Sequence, residues 1–175
     1  MTPKCVLFDL DGTLVDTAPD LGLAANLVRE EQGMQPLPLS TYRPVASCGA
    51  RGLLKVALGM SMDHPDYPQR KERFLVHYRA NLSTGSRLFP GMDEVLRMLE
   101  RADIPWGVVT NKISELSEPL MRDLGLTPRS ACLVSGDSTP KPKPAPEPLL
   151  LACKLVGMTP ADCLYVGDDE RDILA

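Results

Sequence analysis

At 175 residues the chain is long enough for one compact domain and a modest insertion. Hydrophobic residues make up 43% and charged residues 24%, and the net charge is −4 with no run of basic residues, which argues against nucleic acid or an anionic membrane as a partner. A small anionic ligand would then have to find positive charge locally, from a metal ion or a few placed lysines and arginines.

The first apolar run, Cys5-Val6-Leu7-Phe8, is continuous rather than alternating, the pattern of a strand buried on both faces of a parallel sheet. From 17 to 87 no convincing strand follows. Helical periodicity appears over 21–28, 52–58 and 67–82, and the proline-rich 33–44 reads as a turn region. After Pro90-Gly91 the rhythm changes. A helix is predicted over 92–101, a strand over Trp106-Gly107-Val108-Val109, and a helix over 113–124 stopped by Gly125. A strand at Ala131-Cys132-Leu133-Val134 follows, then a stiff loop with alternating prolines over 140–148, a helix over 149–156 and a strand at Cys163-Leu164-Tyr165-Val166. Strands alternating with helices imply a Rossmann-like, doubly wound parallel α/β core. The long helical interval is read as a small cap inserted after the first strand, which divides the chain into a core of 1–16 and 88–175 and a cap of 17–87.

The five cysteines are odd in number, widely spaced and without a C-x-x-C pair, so neither a disulfide framework nor a zinc site is expected. Buried free thiols in a reducing compartment fit them better. No stretch is apolar enough for a signal peptide or a membrane span, and a cytoplasmic location is expected. His64 and His77 sit in polar helical surroundings away from any Ser or Cys motif, which leaves little room for a Ser-His or Cys-His mechanism. The glycine-rich motifs of nucleotide binding are absent from the sequence.

Three of the apolar runs end in groups suited to phosphate chemistry. The first continues as Asp9-Leu10-Asp11-Gly12-Thr13-Leu14-Val15-Asp16, the second as Thr110-Asn111, and the last as Gly167-Asp168-Asp169-Glu170-Arg171-Asp172. In an open parallel sheet ligands bind beyond the carboxyl ends of the strands, so these groups would gather at one crevice. Asp9 and Asp11 are two residues apart and in extended backbone point the same way. Gly12 permits a tight turn that lets backbone N–H groups approach an anion. Clustered carboxylates would repel a phosphate unless a cation were present, and an oxygen-only donor set without His or Cys suits magnesium. Any one of these acids could be a plain loop residue or helix cap; the whole set at strand ends is harder to explain that way.

The first of these runs resembles the signature of the haloacid dehalogenase superfamily, and the remaining motifs of that family match in order at Thr110-Asn111, Lys143-Pro144-Ala145-Pro146 and Gly167-Asp168 with Asp172. The resemblance implies a magnesium-dependent phosphatase acting on a small phosphorylated metabolite. Asp9 would be the nucleophile and Asp11 the general acid and base. Magnesium would be held by Asp9, Asp11 and Asp168, with Asp172 orienting a bound water. Thr110, Asn111, Gly12 and Thr13 would bind the phosphoryl group, and Lys143 would neutralise charge, with Lys141 as a rival. Asp169 stands where relatives often carry Ser, and its role is open. An Asp at position 11 points to phosphatases and phosphomutases rather than dehalogenases.

The insertion resembles the cap of phosphoglycolate phosphatases, with Ser47-Cys48-Gly49-Ala50-Arg51-Gly52 similar to their specificity loop. Arg51 is either a substrate contact there or a surface helix residue. N-acetylmuramic acid 6-phosphate phosphatases and β-phosphoglucomutase-like enzymes share the pattern. A monomer or weak homodimer is expected. Relatives of this kind extend past the position of Ala175, so a truncated, non-catalytic binding remnant is the contrasting expectation.

Overall fold

The computed structural model describes residues 3–175. Four strands form one parallel sheet: β1 (Cys5–Phe8), β4 (Trp106–Val109), β5 (Leu133–Val134) and β6 (Cys163–Val166). Their spatial order is β5-β4-β1-β6. β1 and β4 are buried along their whole length, as continuous apolar runs require when both faces of a sheet are covered. The helices α5 (Met92–Arg101), α6 (Ser114–Asp123) and α7 (Glu147–Leu155) provide the crossovers, in the α/β class that the alternation implies. Side chains from α7 close over one sheet face, where Ala152 and Cys153 pack with Cys5, Leu7, Val109, Cys132 and Val134. Phe8 and Trp106 from adjacent strands meet edge to face, their ring centroids 6.5 Å apart.

The chain divides into two compact units, one of 1–16 with 87–175 and the other of 17–86. At the margin of the first unit, β2 (Val15–Asp16) pairs antiparallel with β3 (Arg87–Leu88), Val15 opposite Leu88. No strand is expected there from the sequence, because a ladder of two residues leaves no periodicity to read.

The second unit is helical: α1 (Ala18–Glu30), α2 (Leu39–Tyr42), α3 (Gly49–Leu58) and α4 (Tyr67–Ala80). The proline-rich interval read as a turn region contains α2 and leads into a 3-10 turn at Arg43–Cys48. Its prolines do not prevent this, since Pro38 is the N-cap of α2 and Pro44 lies in the first turn of the 3-10 segment, where a missing N–H costs nothing. The two ends of the unit are tied together. The buried carboxylate of Asp20 accepts from Gly85 N (2.6 Å), Ser86 N (2.9 Å) and Ser86 Oγ (2.5 Å), so an isolated buried charge is fully hydrogen-bonded. No helix among the described residues is long and apolar enough to cross a membrane.

Candidate active site

Parallel pairing puts Phe8 level with Val108 on one side and with Val166 on the other. The three strands therefore deliver their following residues to one edge of the sheet. The ladder runs one residue further, with Asp9 N donating to Val166 O (2.8 Å) and Thr110 N to Val134 O (2.9 Å). Beyond Asp9 the backbone folds back, Val15 N donating to Leu10 O and Gly12 N to Val15 O. Gly12 has φ +90°, and a Cβ there would lie 2.5 Å from Asp168 Oδ2. The conformation favours glycine, and any added side chain would have to displace the Asp168 carboxylate. Thr13 Oγ1 donates to Asp168 Oδ1 at 2.8 Å, which joins the first and last motifs.

Asp9 is buried, and Lys143 Nζ lies 3.0 Å from its Oδ1. The three ammonium hydrogens are directed elsewhere, to Asp172 Oδ1 (2.7 Å), Tyr165 Oη (2.6 Å) and Val109 O (3.0 Å). Asp9 Oδ1 thus lies beside the ammonium but outside its three best-aligned hydrogen bonds, and is held there chiefly by charge. Burial pushes the Asp9 carboxyl up to about 6; Lys143 opposes the rise, and Asp11 and Asp172 add to it. Burial also acts to raise Asp172, but Lys143, the Asp169 N–H and Tyr165 together hold its carboxyl below the ordinary value. Burial, with Asp9 and Asp172 beside it, pushes the Tyr165 phenol up, so Tyr165 stays a neutral donor.

Lys143 rather than Lys141 occupies the site: Lys143 is 3% exposed, whereas Lys141 is on the surface. Asn111 holds the Lys143 loop with both arms of its side chain, its Nδ2 donating to Lys143 O (2.8 Å) and its Oδ1 accepting from Lys143 N (2.9 Å). The side-chain amide thereby braces the Lys143 loop, at the residue whose amide the resemblance assigns to the phosphoryl oxygens. Asp172, to which the resemblance gives a metal-bound water, accepts from Lys143 and Tyr165 on one oxygen and from Asp169 N on the other. Asp169 caps α8 (Glu170–Leu174), accepting from Arg171 N, and the Arg171 guanidinium holds its carboxyl down to about 2. Arg51 belongs to the other unit and is exposed on α3. The first turn of that helix contains Gly49, at φ +59°, and Gly52, where a Cβ would lie 2.5 Å from that of Cys48.

Two residues of the site escape the sequence reading. Lys112 Nζ pairs with Asp11 Oδ1 at 3.0 Å, and Tyr165 braces Lys143. Lys112 directly follows Thr110-Asn111, so its position was a signal. Tyr165 lies in an apolar run and reads as core; its hydroxyl was the only hint.

One oxygen from each of Asp9, Asp168 and Asp172 lies within 4.8 Å of the others. An all-oxygen set with one buried orphan oxygen and one carboxyl raised by burial and neighbouring negative charge fits a hard divalent cation. Asp172 already accepts from Lys143, Tyr165 and Asp169 N, so Asp9 and Asp168 are the side chains best placed to hold it.

A family profile described as haloacid dehalogenase-like hydrolase matches residues 6–175, and the chain belongs to this family. It is an enzyme in a branch whose curated relatives are named as phosphatases. The N-acetylmuramic acid 6-phosphate phosphatase of Pseudomonas aeruginosa is 43% identical over 173 residues, a match covering 99% of this chain and 76% of that one. The phosphoglycolate phosphatase of Xanthomonas campestris pv. campestris is 44% identical over 176 residues, covering 99% and 78%. Among solved structures, a predicted phosphoglycolate phosphatase from Haemophilus somnus 129PT superposes with a TM-score of 0.82 at 31% identity, covering 100% of this chain and 81% of that one.

Proposed function

We propose that the protein is a magnesium-dependent phosphatase that hydrolyses a small phosphomonoester, phosphoglycolate or a close analogue, through an aspartyl-phosphate on Asp9. The observation that carries this reading is Asp9 itself: a buried carboxylate at the end of a central strand, with the Lys143 ammonium 3.0 Å from one oxygen and Asp168 beside it. A carboxylate fixed beside positive charge can serve as the nucleophile. Asp9 attacks phosphorus while the bond to the leaving oxygen breaks, and Asp11 gives that oxygen its proton. Asp11 then takes a proton from water as the water attacks the aspartyl-phosphate, which releases phosphate and restores the Asp9 carboxylate. Asp9, the Asp11 carbonyl and Asp168 would hold magnesium, which supplies the charge that lets an anionic substrate approach these acids. Thr110 and the turn at Gly12-Thr13 are assigned to the phosphoryl oxygens, and Lys143 to the charge on Asp9 and the phosphate. Arg51 is assigned to substrate choice, as the exposed basic residue of the loop similar to the specificity loop of phosphoglycolate phosphatases.

N-acetylmuramic acid 6-phosphate is a second reading, favoured by the near-equal identity to a relative named for it. A β-phosphoglucomutase from Thermotoga maritima is 24% identical and shares only the fold. The close assembly of Asp9, Asp11, Lys143 and Asp168 supports a working site over a non-catalytic remnant. The test is phosphate release with magnesium from phosphoglycolate, N-acetylmuramic acid 6-phosphate and glucose 1-phosphate. A clear preference for phosphoglycolate is expected. A preference for the amino-sugar phosphate would move the chain to the second reading, and no release from any ester would overturn the phosphatase reading.

A further inference from the structure

We propose that Lys112 is a positioning residue that holds the carboxyl of Asp11 by one oxygen and so fixes the proton carrier against the leaving group. This rests on the reading of Asp11 as general acid and base. Lys112 Nζ lies 3.0 Å from Asp11 Oδ1, with the two side chains 6% and 14% exposed. So little exposure leaves the pair weakly screened by water and salt.

The backbone of Lys112 is fixed on both sides. Its N–H donates to Thr110 Oγ1 (3.1 Å), and its carbonyl accepts from Gly136 N (2.8 Å). Gly136 itself presses on the same loop, since a Cβ there would lie 2.2 Å from Asn111 O. The β1–β4 register places the loops after both strands at one edge, so a side chain three residues past Phe8 meets one four residues past Val108. Asp11 lies next to Gly12, at φ +90°, and the ion pair ties this turn to a loop that three separate contacts immobilise. Lys143 and Lys112 thereby divide the work. Lys143 serves Asp9, where the P–O bond forms, and Lys112 serves Asp11, where the leaving oxygen takes its proton.

The variants Lys112→Met, Lys112→Arg, Asp11→Asn and the double Lys112→Met/Asp11→Asn, measured with an alkyl phosphomonoester and with p-nitrophenyl phosphate, test the assignment. Lys112→Met should lower kcat for the alkyl ester by roughly tenfold to a hundredfold, leave KM within about twofold, and affect the aryl ester less, because its leaving group needs little protonation. Lys112→Arg should recover most of the loss. The double variant should be no slower than Asp11→Asn, because a residue acting through Asp11 has nothing left to act on. Beryllium fluoride should bind with magnesium equally well to wild type and Lys112→Met. Losses that multiply in the double variant, or a rise in KM with weaker fluoride binding, would make Lys112 a direct phosphate ligand and overturn the proposal. Full activity in Asp11→Asn would instead sink the acid–base reading on which it rests.

Discussion

Lys143 is surrounded by more acceptors than it has hydrogens. Asp9, Asp172, Tyr165 and the Val109 carbonyl all lie within 3.0 Å of its nitrogen, and the hydrogens go to the last three. The ammonium is therefore anchored chiefly by Asp172, Tyr165 and the Val109 carbonyl, and in the proposed mechanism Asp9 beside it is the group that attacks phosphorus. Asp9→Asn should remove turnover by at least about a thousandfold while leaving the fold intact, because the amide cannot form the covalent adduct; ordinary phosphate release by this variant would exclude the covalent route. Tyr165→Phe removes one anchor and leaves the charge pairs in place, so kcat should fall by about threefold to thirtyfold at roughly constant stability, as for the loss of a single hydrogen bond. A kcat equal to wild type would show that Asp172 and the Val109 carbonyl suffice. The legibility of these residues follows their separation along the chain. Asp9 and Asp11 announce themselves because strand geometry converts a spacing of two into a shared direction. The bracing of Lys143 draws on segments near 109, 111, 165 and 172, and no local pattern links a tyrosine in an apolar strand to a lysine in a proline-rich loop.

At the scale of elements, the buried strands were legible because a fully covered strand shows an unbroken apolar run, whereas β2, β3 and α2 are too short to carry any period. Helix limits shifted for a local reason: α1 begins at Ala18, ahead of its apolar stripe, with Pro19 in its first turn. Tight loop packing was invisible in the sequence, because a glycine does not state what approaches it. Gly136 is the clearest case. Its missing Cβ makes room for the backbone of Asn111, which unlike a side-chain tip cannot rotate away. Gly136→Ala should push the 110–112 loop aside, destabilise the protein by about 1–3 kcal/mol as overpacking does, and lower kcat as the Lys143 and Lys112 contacts loosen. Gly33→Ala makes a useful contrast, since its φ of +68° is strained but nothing lies within 4 Å, so stability should fall while activity holds. Melting temperature and kcat measured together separate the two; a Gly136→Ala protein with normal kcat would show that the loop is free to adjust.

For the whole molecule, the acid cluster should link stability to pH and, in the proposed function, to magnesium, and Asp9 is where the effect should be largest. Burial raises its carboxyl from 3.8 to about 6 despite Lys143, so the folded protein without metal holds this proton more tightly than the unfolded chain does. A carboxyl raised in this way contributes stability that is fully present below the unfolded value and is lost as pH rises through the folded value, at about 1.4 kcal/mol for each pH unit that separates the two values. Half-buried acids such as Asp162 and Asp169, both held down to about 2 by their basic partners, act in the opposite direction at lower pH, so the melting curve of wild type alone mixes several effects. The difference between wild type and Asp9→Asn isolates the one group. Without metal the Asn variant should melt higher than wild type at pH 7.5, and the gap should shrink as pH falls through 6 towards 4. Saturating magnesium should close or reverse the gap at pH 7.5, because a dication stabilises the ionised carboxylate and binds only the folded protein. A gap that is constant across pH would show that Lys143 already compensates Asp9 in full. A gap that follows pH but ignores magnesium would show that the cation sits elsewhere than on Asp9.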